Sequence, residues 1–162
     1  MPLTVADSIT DDDIIINLES TSKKHALETL SQHLAHQHAA LSADAVFDAL
    51  VERERLGCTA ADHGLAMPHA RVDAADEPVG VFARLSKAID FDGKDVPDVD
   101  LLFCFILPPE TSSQYDAAMQ LLASRLMNEA VCNKLRTAVD AQSIIRLLQR
   151  CAAVDAPANG VA

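Results

Sequence analysis

The sequence is poor in aromatic residues and in positive charge. It contains no tryptophan and one tyrosine, and aromatic residues make up 4% of its 162 residues. Lysine and arginine together number 13 against 24 aspartates and glutamates, so the formal net charge at pH 7 is -11. A chain with this charge repels the phosphate backbone of DNA or RNA, which argues against a nucleic-acid partner. It favours a basic protein partner that is steered in by electrostatic attraction.

Three further features are absent. No apolar run approaches the length that spans a bilayer, so we expect no membrane insertion. The first residues, Met1–Asp7, lack the basic and apolar regions of a secretory signal. The four cysteines include no C-x-x-C pair, which argues against a zinc knuckle or a thioredoxin-like redox site. These absences predict a cytoplasmic protein with free thiols and no metal.

The residues that are present suit one α/β domain. Hydrophobic residues make up 49% of the chain, enough for a core of its own. Segments with strand-like and helix-like periodicity alternate, so helices should lie against a sheet. The predicted elements are a strand over Ile14–Ile16, helices over Lys23–His38 and from Ser42, strands over Val79–Leu85 and Val99–Leu107, a helix with a capping-box pattern at Thr111–Gln114, and helices over Ala130–Arg136 and Ala141–Cys151. We assign residues 1–151 to the domain and 152–162 to a flexible tail.

The helix that opens at Ser42 carries an arginine on its predicted inner face. Val46, Ala49 and Leu50 form the apolar stripe, and continuing the same spacing leads to Arg53. A half-buried guanidinium needs an anionic partner. We therefore expect an anion near the end of this helix.

A histidine follows in a short apolar segment. Imidazole can accept a phosphoryl group and release it near neutral pH. Pro68 fixes its own φ and biases Met67 toward an extended conformation, so that His69 is displayed from a stiff strand end. A lone histidine of this kind is also commonly an ordinary surface residue.

The residues around this histidine suit an anion. Gly57 and Gly64 would let backbone N–H groups approach it closely. Thr59 offers a hydroxyl, and Arg53 and Arg71 can offset the charge of a phosphoryl group. This pattern predicts a phosphate-binding loop before His69.

Other candidate residues have simpler interpretations beside the functional ones. His33 and His36 have a spacing that can hold a metal, but no carboxylate or thiol partner is evident, which favours a solvated helix face. His63 can hydrogen-bond to the site or gate it, although an exposed loop position is the simpler interpretation. Cys58 has His69 as a possible base, so a thiol enzyme is a formal alternative.

The stretch from Leu50 to Arg71 resembles the active-site signature of the fructose/mannitol/nitrogen-type enzyme IIA domains of the bacterial phosphotransferase system. The pattern is L-x-x-R-E-x-L-G-x-T-x-x-x-x-G-x-A-x-P-H-x-R, and the segment P-D-V-D-L-L-F-C-F-I-L-P-P-E resembles the central strand of that family. The resemblance covers residues 7–148. Because no companion domain accompanies it, the chain is most similar to the nitrogen-regulatory branch.

The resemblance implies a fold, an activity and partners. The fold would be a mixed β-sheet flanked by helices. His69 would accept a phosphoryl group through Nε2 from an HPr-like phosphocarrier protein, with Arg53 beside the ring and with Gly57, Cys58 and Gly64 in the phosphate loop. No cofactor is implied. The protein would be a phosphotransferase component, and its phosphorylation state would regulate targets such as potassium-transport or sensor-kinase proteins.

Two departures from the family pattern leave alternatives open. Tyr115 stands where the family usually has a second histidine, and a phenol cannot carry its positive charge. Asp62 adds a negative charge near a site for an anion. One alternative is a fructose- or mannitol-type IIA subunit that passes phosphate to a IIB domain for sugar uptake. Another is a protein-interaction module that is not phosphorylated.

Overall fold

The computed structural model describes residues 4–153. Its strands are β1 (Ile14–Leu18), β2 (Leu65–Ala66), β3 (His69–Arg71), β4 (Val79–Ile89) and β5 (Val99–Leu107). Its helices are α1 (Lys23–Gln37), α2 (Ala43–Leu56), α3 (Ser113–Leu126), α4 (Glu129–Thr137) and α5 (Ala141–Ala152). Single 3-10 turns lie at Val5–Asp7, Asp11–Asp13 and Asp62–Gly64.

The five strands form one mixed sheet. Its order is β1-β4-β5, and both β2 and β3 pair with β5. The β4–β5 pair is antiparallel and the other pairs are parallel. The predicted single α/β domain with a mixed sheet flanked by helices is confirmed.

The edge beside β5 is one extended segment interrupted by a proline. The register is unbroken, since Leu65 lies opposite Leu101 and Arg71 lies opposite Leu107. Pro68 has no N–H to donate, but its carbonyl oxygen accepts a hydrogen bond from the backbone N–H of Phe105 at 3.1 Å. His69 therefore begins a strand, whereas the sequence predicted it at a strand end.

The sheet separates two apolar cores, because alternate residues of each strand face opposite sides. On one face, Ala66, Leu102 and Cys104 pack with residues of α1 and α2. On the other, Phe103 and Phe105 pack with residues of α3, α4 and α5. A stripe of leucines on α1, at Leu27, Leu30 and Leu34, is buried in the first of these cores.

Several bounds differ from the predicted ones. β4 runs on to Ile89 instead of ending at Leu85. The N-cap of α3 is Ser112, whose side chain accepts a hydrogen bond from the backbone N–H of Tyr115, and not Thr111. The predicted tail begins inside α5, which includes Ala152, and residues 154–162 lie outside the described part of the chain.

Candidate functional site

His69 is held in one orientation by a residue that precedes its strand and by the neighbouring strand β5. Its Nδ1 lies 2.7 Å from the carbonyl oxygen of Met67. Its ring stacks on that of Phe105, directly opposite in the sheet, with centroids 4.8 Å apart and ring planes 8° apart. A carbonyl oxygen can only accept, so Nδ1 carries the hydrogen of the neutral ring. Nε2 then has the free lone pair, and the half-buried ring can act as a nucleophile through that atom.

The buried charge at the end of α2 is Glu54, which lies one residue after the predicted Arg53. Glu54 is only 9% exposed. Arg53 is half-buried, and its Nη1 donates to the carbonyl oxygen of Gly57 at 2.9 Å, not to an anion. The helical period explains the difference, because steps of four residues lead from Val46 through Leu50 to Glu54, whereas the prediction took a step of three.

Glu54 organises the segment that follows α2. Its carboxylate accepts hydrogen bonds from the Thr59 hydroxyl at 2.5 Å and the Thr59 N–H at 3.2 Å. It also pairs with the Lys23 ammonium at 2.9 Å, which lies 4.8 Å from the centre of the Phe91 ring. The predicted Thr59 donor is thus engaged by Glu54 in this structure. A phosphoryl group would have to compete for it.

The segment after α2 is joined to the edge of the sheet. The backbone oxygen of Thr59 accepts from the N–H of Met67 at 3.3 Å, and Ala60 forms an antiparallel bridge with Ala66. Met67 is also the residue whose carbonyl holds the His69 ring. The structure therefore connects the predicted phosphate loop to His69 through the backbone of Met67.

The two glycines of the predicted loop differ. Gly57 has an extended φ of 166°, and a Cβ added there would meet open space, so its conformation does not require glycine. Gly64 has a φ of +77°, and a Cβ there would lie 2.5 Å from Arg136 Nη2 and 2.8 Å from Asp100 Oδ1. Gly64 thus lets the turn pack on the Arg136–Asp100 ion pair. Arg136 also donates to the carbonyl oxygen of His63, which ties this turn to α4.

Arg71 points to the same side of β3 as His69, because the two are separated by one residue of a strand. Its guanidinium donates to the carbonyl oxygen of Pro108 at 3.0 Å and to the Thr111 hydroxyl at 3.2 Å. It also lies 3.6 Å from a carboxylate oxygen of Asp116. Arg71 therefore joins the His69 strand to the first turn of α3.

Tyr115 lies in the same core cluster as Phe105. Its side chain is buried, and its hydroxyl has no hydrogen-bond partner among residues 4–153. Burial raises the pKa of the phenol, and the negative charges of Asp7 and Asp116 raise it further. The hydroxyl is therefore protonated at neutral pH and can donate a hydrogen bond.

The remaining candidates lie apart from His69 or have other partners. The Cys58 thiol donates to the carbonyl oxygen of Phe91 at 3.1 Å, and Asp62 is exposed. His33 is paired with Asp13 at 3.0 Å between Nε2 and Oδ1, so it is not the solvated residue that was predicted. Within the described range, no group of three or more histidine, cysteine or acidic side chains could hold a metal, and no helix is long and apolar enough to cross a membrane.

A family model supplies the assignment that the geometry alone does not give. The model described as "Phosphoenolpyruvate-dependent sugar phosphotransferase system, EIIA 2" matches residues 7–151. The chain belongs to this EIIA family. The resemblance noted in the sequence is thereby confirmed.

Individual relatives point to the nitrogen-regulatory branch. A "Nitrogen regulatory protein" of Bradyrhizobium diazoefficiens is 35% identical over 148 residues, which cover 91% of this chain and 95% of that protein. The crystal structure of the nitrogen regulatory protein IIA-Ntr from Neisseria meningitidis superposes with a TM-score of 0.83 at 26% identity, covering 89% of this chain and 98% of that one. A "PTS system fructose-specific EIIA component" of Haloferax volcanii is 33% identical over 132 residues, covering 80% and 86% of the two chains.

Sequence reasoning placed Glu54 in the family signature without giving it a role, and it missed two further contributors to this site. Glu54 follows from a step of four residues along α2, so that signal was available. The stacking of Phe105 on His69 depends on strand register, and the Asp100–Arg136 pair joins residues 36 apart in the chain. No local pattern indicates either of these contacts.

Proposed function

We propose that this EIIA protein is a cytoplasmic phosphoryl carrier of the nitrogen-regulatory branch that accepts a phosphoryl group on Nε2 of His69. The observation that carries the proposal is the hydrogen bond from Nδ1 to the Met67 carbonyl, which leaves the Nε2 lone pair of the neutral ring available. The donor is an HPr-like phosphocarrier protein, as the family resemblance implies.

The proposed reaction is an in-line transfer between two histidines. The Nε2 lone pair attacks phosphorus, so that a new N–P bond forms while the N–P bond of the donor breaks and its electron pair returns to the donor imidazole. The proton on Nδ1 of His69 stays in its bond to Met67 and helps to stabilise the positive charge of the phosphorylated ring. Arg53 and Arg71 each donate to a backbone carbonyl oxygen in this structure, and both would turn from these partners to balance the phosphoryl charge.

The proposed role of the product is regulatory. Several relatives carry the name nitrogen regulatory protein, including those of Bradyrhizobium diazoefficiens and Pseudomonas aeruginosa, at 35% and 30% identity. The phosphorylation state of His69 would then govern binding to target proteins, for which potassium-transport and sensor-kinase proteins are the classes that the family resemblance implies. Phosphorylation adds between one and two negative charges, enough to change a protein interface.

A second candidate is a sugar-branch IIA subunit that passes its phosphoryl group to a IIB domain. The fructose-specific relative of Haloferax volcanii, at 33% identity, favours this alternative. Transfer from phosphorylated His69 to a purified IIB domain of the fructose or mannitol type separates the two. Fast transfer supports sugar uptake, and its absence supports the regulatory branch.

The test of phosphorylation is intact-mass spectrometry at mildly alkaline pH, where phosphohistidine is preserved. The protein is incubated with phosphoenolpyruvate, enzyme I and the HPr-like carrier, beside His69→Ala and His69→Gln variants. We expect one added phosphoryl mass in the wild type and none in either variant. Nitrogen-detected NMR of the phosphorylated imidazole should place the group on Nε2, and a phosphoryl group on Nδ1 would contradict the geometric argument.

A variant of Tyr115 tests the alternative that this protein binds partners without being phosphorylated. The buried hydroxyl of Tyr115 lacks a partner among the described residues. A phenol cannot carry the positive charge of a second histidine. If the wild type gains no phosphoryl mass from a carrier system that works on another IIA protein, while Tyr115→His does, the interaction-module alternative replaces the carrier proposal.

A further inference from the structure

Basic side chains line a surface groove between α4 and α5. The groove has a volume of about 300 Å³, and Lys134, Arg146 and Arg150 contribute to its walls. All three are exposed. They represent a local concentration of positive charge on a chain whose net charge is -11.

This clustering of like charges has a cost that no close ion pair among residues 4–153 offsets. Arg146 and Arg150 are four residues apart on α5, a spacing at which like charges repel one another. No carboxylate of the described residues lies within ion-pair distance of these two arginines or of Lys134. The Asp140 carboxylate caps α5, where it accepts a hydrogen bond from the N–H of Ser143 at 2.8 Å, and its attraction to Arg146 is the smallest of the effects that lower its pKa.

The end of α4 adds no negative charge to balance the groove. The carbonyl groups at a helix C-terminus ordinarily attract cations. Here Arg84 of β4 occupies two of them, donating to the oxygens of Leu135 at 2.9 Å and Ala138 at 2.8 Å. Ala138 also lines the groove. The Arg84 guanidinium, which donates to the Ala138 carbonyl oxygen, therefore places a fourth positive charge beside the groove.

Apolar groups accompany the charges. Ala138 and Leu147 are half-buried groove residues. Val139, next along the chain, is 87% exposed, which is unusual for a large hydrophobic side chain. A ligand that matches this surface carries negative charge and an apolar group together.

We propose that this groove, formed by Lys134, Ala138, Ser143, Arg146, Leu147 and Arg150, docks an acidic segment of a protein partner. Carboxylates about 6 Å apart, one helical turn, would pair with Arg146 and Arg150. An apolar side chain of the segment would cover Val139. An anionic membrane is the poorer match. Three exposed cations on a chain with a net charge of -11 would give only a weak electrostatic attraction to its surface.

The groove is separate from the His69 site. Arg84 lies opposite Leu101 in the sheet, whereas His69 lies opposite Phe105. Four residues of a strand correspond to about 13 Å. The partner bound in the groove and the phosphoryl donor at His69 can therefore be different proteins, and this inference does not depend on the proposed phosphorylation.

The test uses a fluorescein-labelled synthetic peptide in which glutamates flank a single leucine. Binding of this peptide to the protein is measured by fluorescence anisotropy at low salt. We expect saturable binding by the full chain, and a peptide with glutamines in place of the glutamates should bind at least about tenfold more weakly. The R146Q/R150Q double variant should weaken binding by about tenfold or more. The V139S variant should weaken it by about threefold.

The matched control is K24Q/K87Q, which removes two exposed cations from α1 and β4 and so changes the net charge equally. This control should retain wild-type affinity. Equal weakening in the two double variants, equal binding of the glutamine peptide, or no saturable binding up to about a millimolar would each overturn the proposal. Binding to phosphatidylserine vesicles that is lost in R146Q/R150Q, without binding of the peptide, would replace it with a membrane surface.

Discussion

At the scale of single residues, Glu54 emerges as the side chain that positions the proposed phosphate loop. It is the buried charge of α2, and Lys23 and Thr59 both contact its carboxylate. A buried carboxylate is tolerated only with such partners, and removing its charge leaves Lys23 half-buried and unpaired. The loop and the end of the helix therefore depend on one another through this residue.

The Glu54→Gln variant tests this dependence. We expect it to lower the free energy of unfolding by about 2–3 kcal/mol, because the charge that holds Lys23 and two Thr59 donors is lost. Glu52→Gln is the matched control, since Glu52 forms an exposed pair with Arg55 that should contribute less than about 1 kcal/mol. Urea unfolding of both variants measures the difference. Equal stability of the two would show that Glu54 is not the organising group.

The sequence could predict which residue is the candidate nucleophile, but it could not predict how the side chain of that residue is oriented. The motif around Pro68 and His69 identified the candidate nucleophile because composition and spacing are local properties. The orientation of its ring was not predictable, since it depends on the Met67 carbonyl and on Phe105 across the sheet. The roles of His69, Arg53 and Thr59 in phosphoryl transfer stay predictions.

At the scale of elements, a partly buried hydrogen bond between two side chains fixes α1 to the turn that precedes β1. Asp13 is 5% exposed and pairs with His33 of α1. Burial alone would raise the pKa of this carboxyl. The hydrogen bonds from His33 and Thr10, with the charge of His33, outweigh burial and hold the pKa below its usual value of 3.8.

The lowered pKa of Asp13 predicts a pH-dependent contribution to stability. A carboxyl with a depressed folded-state pKa stabilises the fold above its unfolded pKa and loses that contribution as the pH falls through the folded value. We expect Asp13→Asn to cost about 1–2 kcal/mol at pH 6, with the cost shrinking below about pH 4.

The control for this prediction lies in the same turn. Asp12 is exposed, so Asp12→Asn should have little effect at either pH. Urea unfolding of the wild type and both variants between about pH 3 and pH 6 measures the contributions. A cost of Asp13→Asn that stays constant over this range would contradict the assignment.

Elements with strong periodicity were predictable, and the short edge strands were not. The apolar run of β5 and the leucine stripe of α1 are properties of one segment, and the structure has both. β2 and β3 have two and three residues and are separated by Met67 and Pro68, so neither has a period of its own. Their pairing with β5 supplies the hydrogen bonds that define them.

At the scale of the whole molecule, charge distinguishes two surfaces. The chain as a whole is strongly acidic, whereas the groove between α4 and α5 is basic. A basic donor protein is attracted by the overall charge, and an acidic segment is attracted by the local one. Steering of a donor by the overall charge and docking in the groove thus favour partners of opposite charge.

This distribution predicts how salt affects phosphoryl transfer from the HPr-like donor. Attraction between oppositely charged proteins raises the association rate and is screened by salt, with a Debye length of about 10 Å at 0.1 M. We expect the second-order transfer rate to fall at least about tenfold between 0.05 and 0.5 M salt, as steering is lost, while the rate at saturating donor changes little. Rapid-quench measurements at several donor concentrations separate the two rates.

The R146Q/R150Q variant supplies the internal control for this salt effect. It makes the chain more negative by two charges at a surface away from His69, so its transfer rate at low salt should equal or exceed that of the wild type. A fall in that rate would place the donor in the groove, and the two proposed surfaces would then be one. A second-order rate that increases with salt would mean that donor and chain repel one another, and the net charge of -11 would then serve a function other than recruiting the donor.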